Sequence, residues 1–140
     1  MSDFVLDCSV TMGWCFEDAT DPLADRALSA LGGGASAVVP PLWRYQVANL
    51  LAMAERRDRI GAAAAERFLD LLGRLPIEDT AAPDARDVLL VARTHGLSAY
   101  DAAYLDLANR LGLPLATRDA ALAEAARASG TKLAKFAHDP

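Results

Sequence analysis

Short apolar runs alternate along the chain with longer segments in which apolar residues recur at helical spacing. The first run, residues 4–10, predicts a buried central strand with Asp7 at its carboxyl edge. Further strands are predicted at 37–39, 75–78, 113–117 and 132–133. Pro76 makes the second of these an edge strand. Strands that alternate with helices indicate an α/β fold, in which helices cover both faces of a mostly parallel sheet.

Seven segments are predicted to be helical from their apolar periodicity and from the prolines and glycines at their ends. They cover residues 10–16, 23–31, 42–57, 62–73, 83–95, 102–111 and 120–128, and the first two fit either two short helices or one broken helix. One face of the third carries Leu42, Tyr45, Asn49, Leu50 and Met53. We expect that face to point inward, with Gln46 on or beside it and in need of a hydrogen-bond partner. The length fits a single domain over residues 1–140.

The formal net charge of -5 argues against a protein that holds nucleic acid through general positive charge. It does not exclude a nuclease, because a divalent cation bound to clustered carboxylates inverts the local field. Cys8 and Cys15 form neither a CxxC pair nor a zinc spacing, and we expect reduced thiols. No apolar stretch approaches the roughly 20 residues of a membrane span, and the first residues lack a basic signal region. We therefore expect a cytoplasmic protein with no membrane contact.

Three aspartates, Asp7, Asp101 and Asp119, fall at junctions between predicted elements. Each could simply cap a helix, and Ser98-x-x-Asp101 has the form of a capping box. Together they indicate a shared site, because side chains after parallel strands face one crevice. Carboxylates in one crevice repel each other unless a cation or proton relieves them. Oxygen ligands without His or Cys select Mg²⁺, with Mn²⁺ as the alternative, and such a site suits phosphodiester hydrolysis.

Four stretches carry a resemblance that covers nearly the whole chain. They are Val5-Leu6-Asp7-Cys8-Ser9, Pro41-Leu42-Trp43 with Val47-Ala48-Asn49, Leu97-Ser98-Ala99-Tyr100-Asp101-Ala102-Ala103-Tyr104, and Leu115-Ala116-Thr117-Arg118-Asp119-Ala120-Ala121-Leu122. In these residues the chain resembles PIN-domain ribonucleases, specifically the VapC toxins of bacterial toxin–antitoxin pairs. The resemblance implies an α/β/α sandwich, Mg²⁺-dependent RNA cleavage, inhibition by a VapB-like antitoxin and usually a homodimer. It implies an acidic metal site of Asp7, Asp101 and Asp119, with Ser9 and Thr117 as polar neighbours.

One position departs from the family pattern, which has a glutamate where this chain has Gln46. Glutamine has nearly the same shape and offers a carbonyl oxygen, but it carries no charge and cannot act as a base. The implied catalytic set is therefore Asp7, Gln46, Asp101 and Asp119, with weakened activity. The alternative is a catalytically impaired domain that only binds an antitoxin.

A phosphoacceptor receiver domain is a further alternative, because that class also places acids at strand ends and a lysine near a late strand, here Lys132. Such a domain has adjacent acids after its first strand, whereas Asp7 is followed by Cys8. The histidines, His95 and His138, lie apart from the aspartates, and we expect them to be non-catalytic.

Aromatic and basic residues raise two further questions about binding. Trp14 and Trp43 are expected in the core, with an antitoxin groove as the alternative. The cluster Arg56-Arg57-Asp58-Arg59 suits the negative end of the helix before it, with phosphate contact as the alternative.

Overall fold

The computed structural model describes residues 2–16 and 21–136. Its strands are β1 (Phe4–Leu6), β2 (Ala37–Val39), β3 (Ile77–Asp79) and β4 (Leu115–Ala116). They form a parallel sheet in the order β3, β2, β1, β4. Leu133 adds one parallel bridge to Leu115, so the last predicted strand is a single bridge. The edge position predicted for the Pro76 strand is confirmed.

The helices in this part of the chain are α1 (Cys8–Met12), α2 (Pro22–Gly32), α3 (Leu42–Arg56), α4 (Ala62–Arg74), α5 (Ala85–His95), α6 (Ala99–Leu111) and α7 (Ala120–Ala128). Helix α1 contacts α2 and α3, whereas α6 contacts β1, β4, α5 and α7. The predicted α/β/α sandwich around a parallel sheet is confirmed. None of the described helices is both long enough and apolar enough to cross a membrane.

The strands differ in how far they are buried. Every residue of β1, β2 and β4 is buried, whereas the edge strand β3 exposes Glu78 and Asp79. Strands covered on both faces need apolar side chains on both, which is why they read as continuous apolar runs. Phe4 packs edge-on against Phe136, with ring centroids 5.0 Å apart. The loops at the carboxyl edge of the sheet therefore follow strands that are packed in the core.

The buried face of α3 differs from the predicted one. It consists of Trp43, Val47, Leu51 and Ala54. Tyr45, which was expected inside, is 79% exposed. The large indole of Trp43 can be buried because its N–H donates to the Thr11 hydroxyl at 2.9 Å. With Trp43 inside, α3 turns a different face toward the core from the predicted one. Gln46 then lies at the edge of the buried stripe and is half-buried.

Both cysteines are free thiols, in agreement with the sequence. Burial raises the pKa of Cys8 to about 12, with a smaller contribution from the charge of Asp7. The thiol therefore stays protonated at neutral pH and behaves as a small apolar side chain.

Candidate active site

A cleft of about 300 Å³ opens beside the residues that follow β1 and β4. Its walls are formed by Asp7, Cys8, Ser9, Gln46, Asn49, Leu50, Asp101 and Asp119. The structure thus brings all four predicted catalytic residues to one cavity. The carboxyl ends of adjacent parallel strands meet at one edge of the sheet, which accounts for the convergence of Asp7 and Asp119.

Asp7 lies at the bottom of the cleft and is only 5% exposed. One of its oxygens, Oδ2, accepts hydrogen bonds from the Ser9 hydroxyl at 2.6 Å and the Thr117 hydroxyl at 2.7 Å. The same hydroxyls accept from backbone N–H groups of the loop after β4, Ser9 from Arg118 and Thr117 from Asp119. Ser9 and Thr117 therefore fix the Asp7 carboxylate relative to the loop that carries Asp119.

Asp101 and Asp119 enter the cleft from the first turn of one helix and the N-cap of another. The Ser98 hydroxyl caps α6 by accepting from the Asp101 N–H at 3.1 Å. Asp119 caps α7, since its Oδ1 accepts from the Leu122 N–H at 2.9 Å. Asp7 occupies the N-cap position of α1 but makes no side-chain cap bond. The capping alternative thus holds for Asp119 and for Ser98, but it does not explain Asp7 or the Asp101 carboxylate.

The carboxylates interact electrostatically across the cleft. Burial raises the pKa of Asp7, and hydrogen bonds from Ser9, Thr117 and the Cys8 backbone oppose this effect. The negative charge of Asp119 raises it further. The pKa of Asp101 is raised first by burial and then by the charges of Asp119 and Asp7. The charge of Asp119 therefore makes ionisation of Asp7 and Asp101 less favourable, and the charge of Asp7 does the same to Asp101.

The oxygen donors around the cleft suit a hard divalent cation, because carboxylates, amides and the Ser9 hydroxyl line it without any imidazole, and the Cys8 thiol there stays protonated. Within residues 2–16 and 21–136, no three His, Cys, Asp or Glu side chains lie close enough to form a ready-made metal cage. The aspartates instead face one another across an open cleft. Burial and, to a smaller extent, the charge of Asp119 raise the pKa of Asp7 and Asp101, and a cation bound there would offset both effects, so the residues fit such an ion in charge and ligand type.

Gln46 has a partner that the sequence did not indicate. The fully buried Tyr104 donates its hydroxyl to the Gln46 carbonyl oxygen at 2.5 Å. Because the Tyr104 hydroxyl donates its one proton, this bond orients the Gln46 amide with its oxygen on Tyr104. Tyr104 lies one helical turn after Asp101, and a buried tyrosine hydroxyl needs a hydrogen-bond partner. This spacing in the sequence could have indicated that Tyr104 contacts a residue of the site.

The other residues considered from the sequence lie away from the cleft. The Trp14 indole N–H donates to the Ala24 carbonyl at 2.7 Å. Trp43 is 1% exposed, so it lies in the core as expected and does not itself line a surface groove. His95 lies in the last turn of α5, as expected for a non-catalytic residue, and His138 is outside the described residues.

Comparison with known proteins gives the family. The PIN domain family matches residues 4–128. No curated protein sequence matches significantly. The fold is similar to PAE2754 from Pyrobaculum aerophilum, with a TM-score of 0.73 and 24% identity over 89% of this chain and 84% of that one. FitAcB from Neisseria gonorrhoeae has a TM-score of 0.63 and 17% identity over 93% of this chain and 95% of that one. A toxin–antitoxin complex from Klebsiella pneumoniae has a TM-score of 0.58 and 16% identity over 84% of this chain and 87% of that one. Because the family match spans most of the chain and includes every aspartate of the cleft, this chain belongs to the PIN-domain family.

Proposed function

We propose that the protein is a metal-dependent endoribonuclease that hydrolyses RNA phosphodiester bonds, with Asp7, Asp101 and Asp119 as ligands of Mg²⁺ or Mn²⁺. One observation carries the proposal: these aspartates, from separate elements of a PIN-domain chain, line a single cleft. The charge of Asp119, which disfavours ionisation of Asp7 and Asp101, supports a cation as the missing charge. The family match favours a nuclease over the receiver-like alternative, and Lys132 does not line the cleft.

Some residues of the cleft would hold the cation, and others orient its ligands. When bound, the cation supplies an activated water and offsets the charge of the scissile phosphate. Asp7 is the best fixed ligand, because the Ser9 and Thr117 hydroxyls hold one of its oxygens. Gln46 takes the place of a carboxylate ligand but brings no charge, and its carbonyl oxygen already accepts from Tyr104. We therefore propose that this chain binds the cation weakly.

The proposed partner is a VapB-like antitoxin, and the proposed assembly is a homodimer. The partner is supported by the likeness of the fold to the toxin–antitoxin complex from Klebsiella pneumoniae. Exposed apolar side chains on neighbouring helices, Leu89, Leu90 and Tyr100, support a second copy of the chain. Gln46 favours a second candidate function, an impaired domain that only binds an antitoxin. A protein that binds the product of a neighbouring antitoxin gene and remains inactive in every cleft variant would support that candidate.

Cleavage of single-stranded RNA tests the proposed activity. We expect cleavage in Mg²⁺ that stops in EDTA, and an Asp101→Asn variant at least about 100-fold slower, because a charged ligand is lost. Asp101 suits this test because it is only half-buried and lies outside the hydroxyl network of Asp7. A DNA strand of the same sequence measures the preference for RNA.

The matched control is Asp87→Asn, which removes an exposed acid from the first turn of α5, away from the cleft. It should cleave RNA as fast as the parent protein. Cleavage that persists in EDTA, or that is equally fast in both aspartate variants, would overturn the proposed function.

A further inference from the structure

A second cavity of about 300 Å³ adjoins the cleft and shares Ser9 and Leu50 with it. Its polar lining includes Arg57, Arg59 and Arg118, and its apolar lining includes Met12, Phe16 and Met53. We refer to it as the arginine cavity. Its positive charges stand out in a chain of net charge -5, directly beside a cleft lined with aspartates.

The turn after α3 places two of the arginines. Asp58 has a left-handed backbone, with φ 56°, and Arg59 N–H binds the Ala54 carbonyl at 2.9 Å. This closes the helix in a Schellman-type turn and leaves Arg57 and Arg59 on either side of the reversal. Their charge suits the C-terminus of α3, as the sequence indicated. That role does not account for Arg118, which comes from the loop after β4 and lines the same cavity.

Arg118 is held in position by a buried acid. Its Nε lies 2.9 Å from Oδ2 of Asp21, whose side chain is 4% exposed. The other oxygen of Asp21 caps α2 by accepting from the Ala24 N–H. Among the described residues, Oδ2 has no well-aligned hydrogen bond, so the ion pair is its main compensation. The guanidinium of Arg118 is thus fixed at the junction between the cleft and the arginine cavity.

Phe16 and Arg59, which both line the arginine cavity, stack on each other. The Arg59 guanidinium lies 4.3 Å from the centroid of the Phe16 ring. Nucleic-acid bases stack both on aromatic faces and on guanidinium planes. Phe16 and Arg59 also line a third cavity of about 620 Å³, which continues past Arg67 and Phe68. The arginine cavity and this third cavity therefore adjoin each other at Phe16 and Arg59.

We propose that the arginine cavity binds a nucleotide of single-stranded RNA next to the phosphodiester in the cleft. Arg57 and Arg118 contact phosphate oxygens, and the pair of Phe16 and Arg59 contacts the base. The identity of the ligand rests on the proposed function. Charge complementarity selects it, because a polyanion approaching an acidic cleft needs local positive charge, and an apolar protein segment would make no use of the arginines.

Binding of a fluorescein-labelled six-nucleotide RNA, followed by anisotropy in EDTA, tests the proposal without cleavage of the probe. Arg57→Gln should weaken binding about fivefold and lower the slope of log affinity against log salt by about 0.7, since one phosphate contact is lost. Phe16→Leu should weaken binding by about fivefold or more with the salt slope unchanged, because stacking is lost and charge is not. Arg57 is exposed, so its replacement leaves the core intact.

The matched control is Arg86→Gln, which removes the same charge from an exposed position on α5 outside the cavities. It should bind RNA like the parent protein. Equal affinity of all variants would overturn the proposal, and so would variants that lose a protein partner while binding RNA normally. Cleavage in Mg²⁺ is scored separately. A parent protein that binds RNA through the cavity but never cleaves it would contradict the proposed function alone.

Discussion

Replacing Gln46 by glutamate should raise Mg²⁺ affinity and the rate of RNA cleavage, each by about 10- to 100-fold. The change adds one negative charge to the cleft and leaves the side-chain size unchanged. Tyr104 can donate to a carboxylate oxygen as it now does to the Gln46 carbonyl, and that bond strengthens with a charged acceptor. The second carboxylate oxygen then takes the place of the amide NH₂, which cannot bind a cation, and it would be available as a ligand.

Calorimetric titration with Mg²⁺, cleavage rates and thermal unfolding with and without Mg²⁺ measure these effects. The control is Asn49→Asp, which adds the same charge to the same cleft from an exposed position. If added negative charge alone matters, both variants should bind Mg²⁺ more tightly. If position 46 is a ligand position, only Gln46→Glu should do so. If Gln46→Glu is less stable than the parent protein even with Mg²⁺ and is no more active, Gln46 is a packing residue, and a partly buried carboxylate at this position costs stability.

An Asp7→Asn variant should be more stable than the parent protein in EDTA at pH 7 and should lose metal binding. Burial raises the pKa of Asp7 above its unfolded value of 3.8, so ionisation at neutral pH disfavours the folded state. The stability linked to this group is fully present below the unfolded pKa and is lost as the pH rises through the folded pKa. Each pKa unit of the difference corresponds to about 1.4 kcal/mol at neutral pH. Asparagine keeps an oxygen for the hydroxyls without the charge.

Thermal unfolding in EDTA between pH 4 and pH 7 measures this effect, at roughly 3 °C per kcal/mol for a chain of this size. The advantage of the variant over the parent should grow as the pH rises. Asp106→Asn is the contrasting control, because Asp106 is equally buried but pairs with Arg110 at 2.9 Å. Its replacement should destabilise the protein. An equal loss of stability in both variants at pH 7 would mean that Asp7 is a structural acid.

The backbone of the site was predictable because it follows from strand order. Asp7 comes directly after β1, Asp119 lies in the loop that follows β4, and Asp101 comes just after a recognisable cap at Ser98. Local sequence fixes these junctions, and sheet geometry then brings them together. The same logic gave the edge position of β3, which Pro76 precedes.

The side-chain contacts were not predictable, because they depend on how the helices rotate and pack. The inward face of α3 was set by Trp43 and its bond to Thr11, which no periodicity within α3 reveals. The bond between Gln46 and Tyr104 joins residues far apart in the chain. The arginine cavity likewise combines the segment after α1, the turn after α3 and the loop after β4. Each of these contacts depends on the packing of the helices, which the positions of the aspartates in the sequence do not determine.

The central claim is that the aspartates of the cleft hold a divalent cation. Anomalous scattering from crystals grown with Mn²⁺ tests it most directly. We predict a peak in the cleft within roughly 2.5 Å of carboxylate oxygens of both Asp7 and Asp101. No peak there, at a Mn²⁺ concentration that supports RNA cleavage in solution, would contradict the claim.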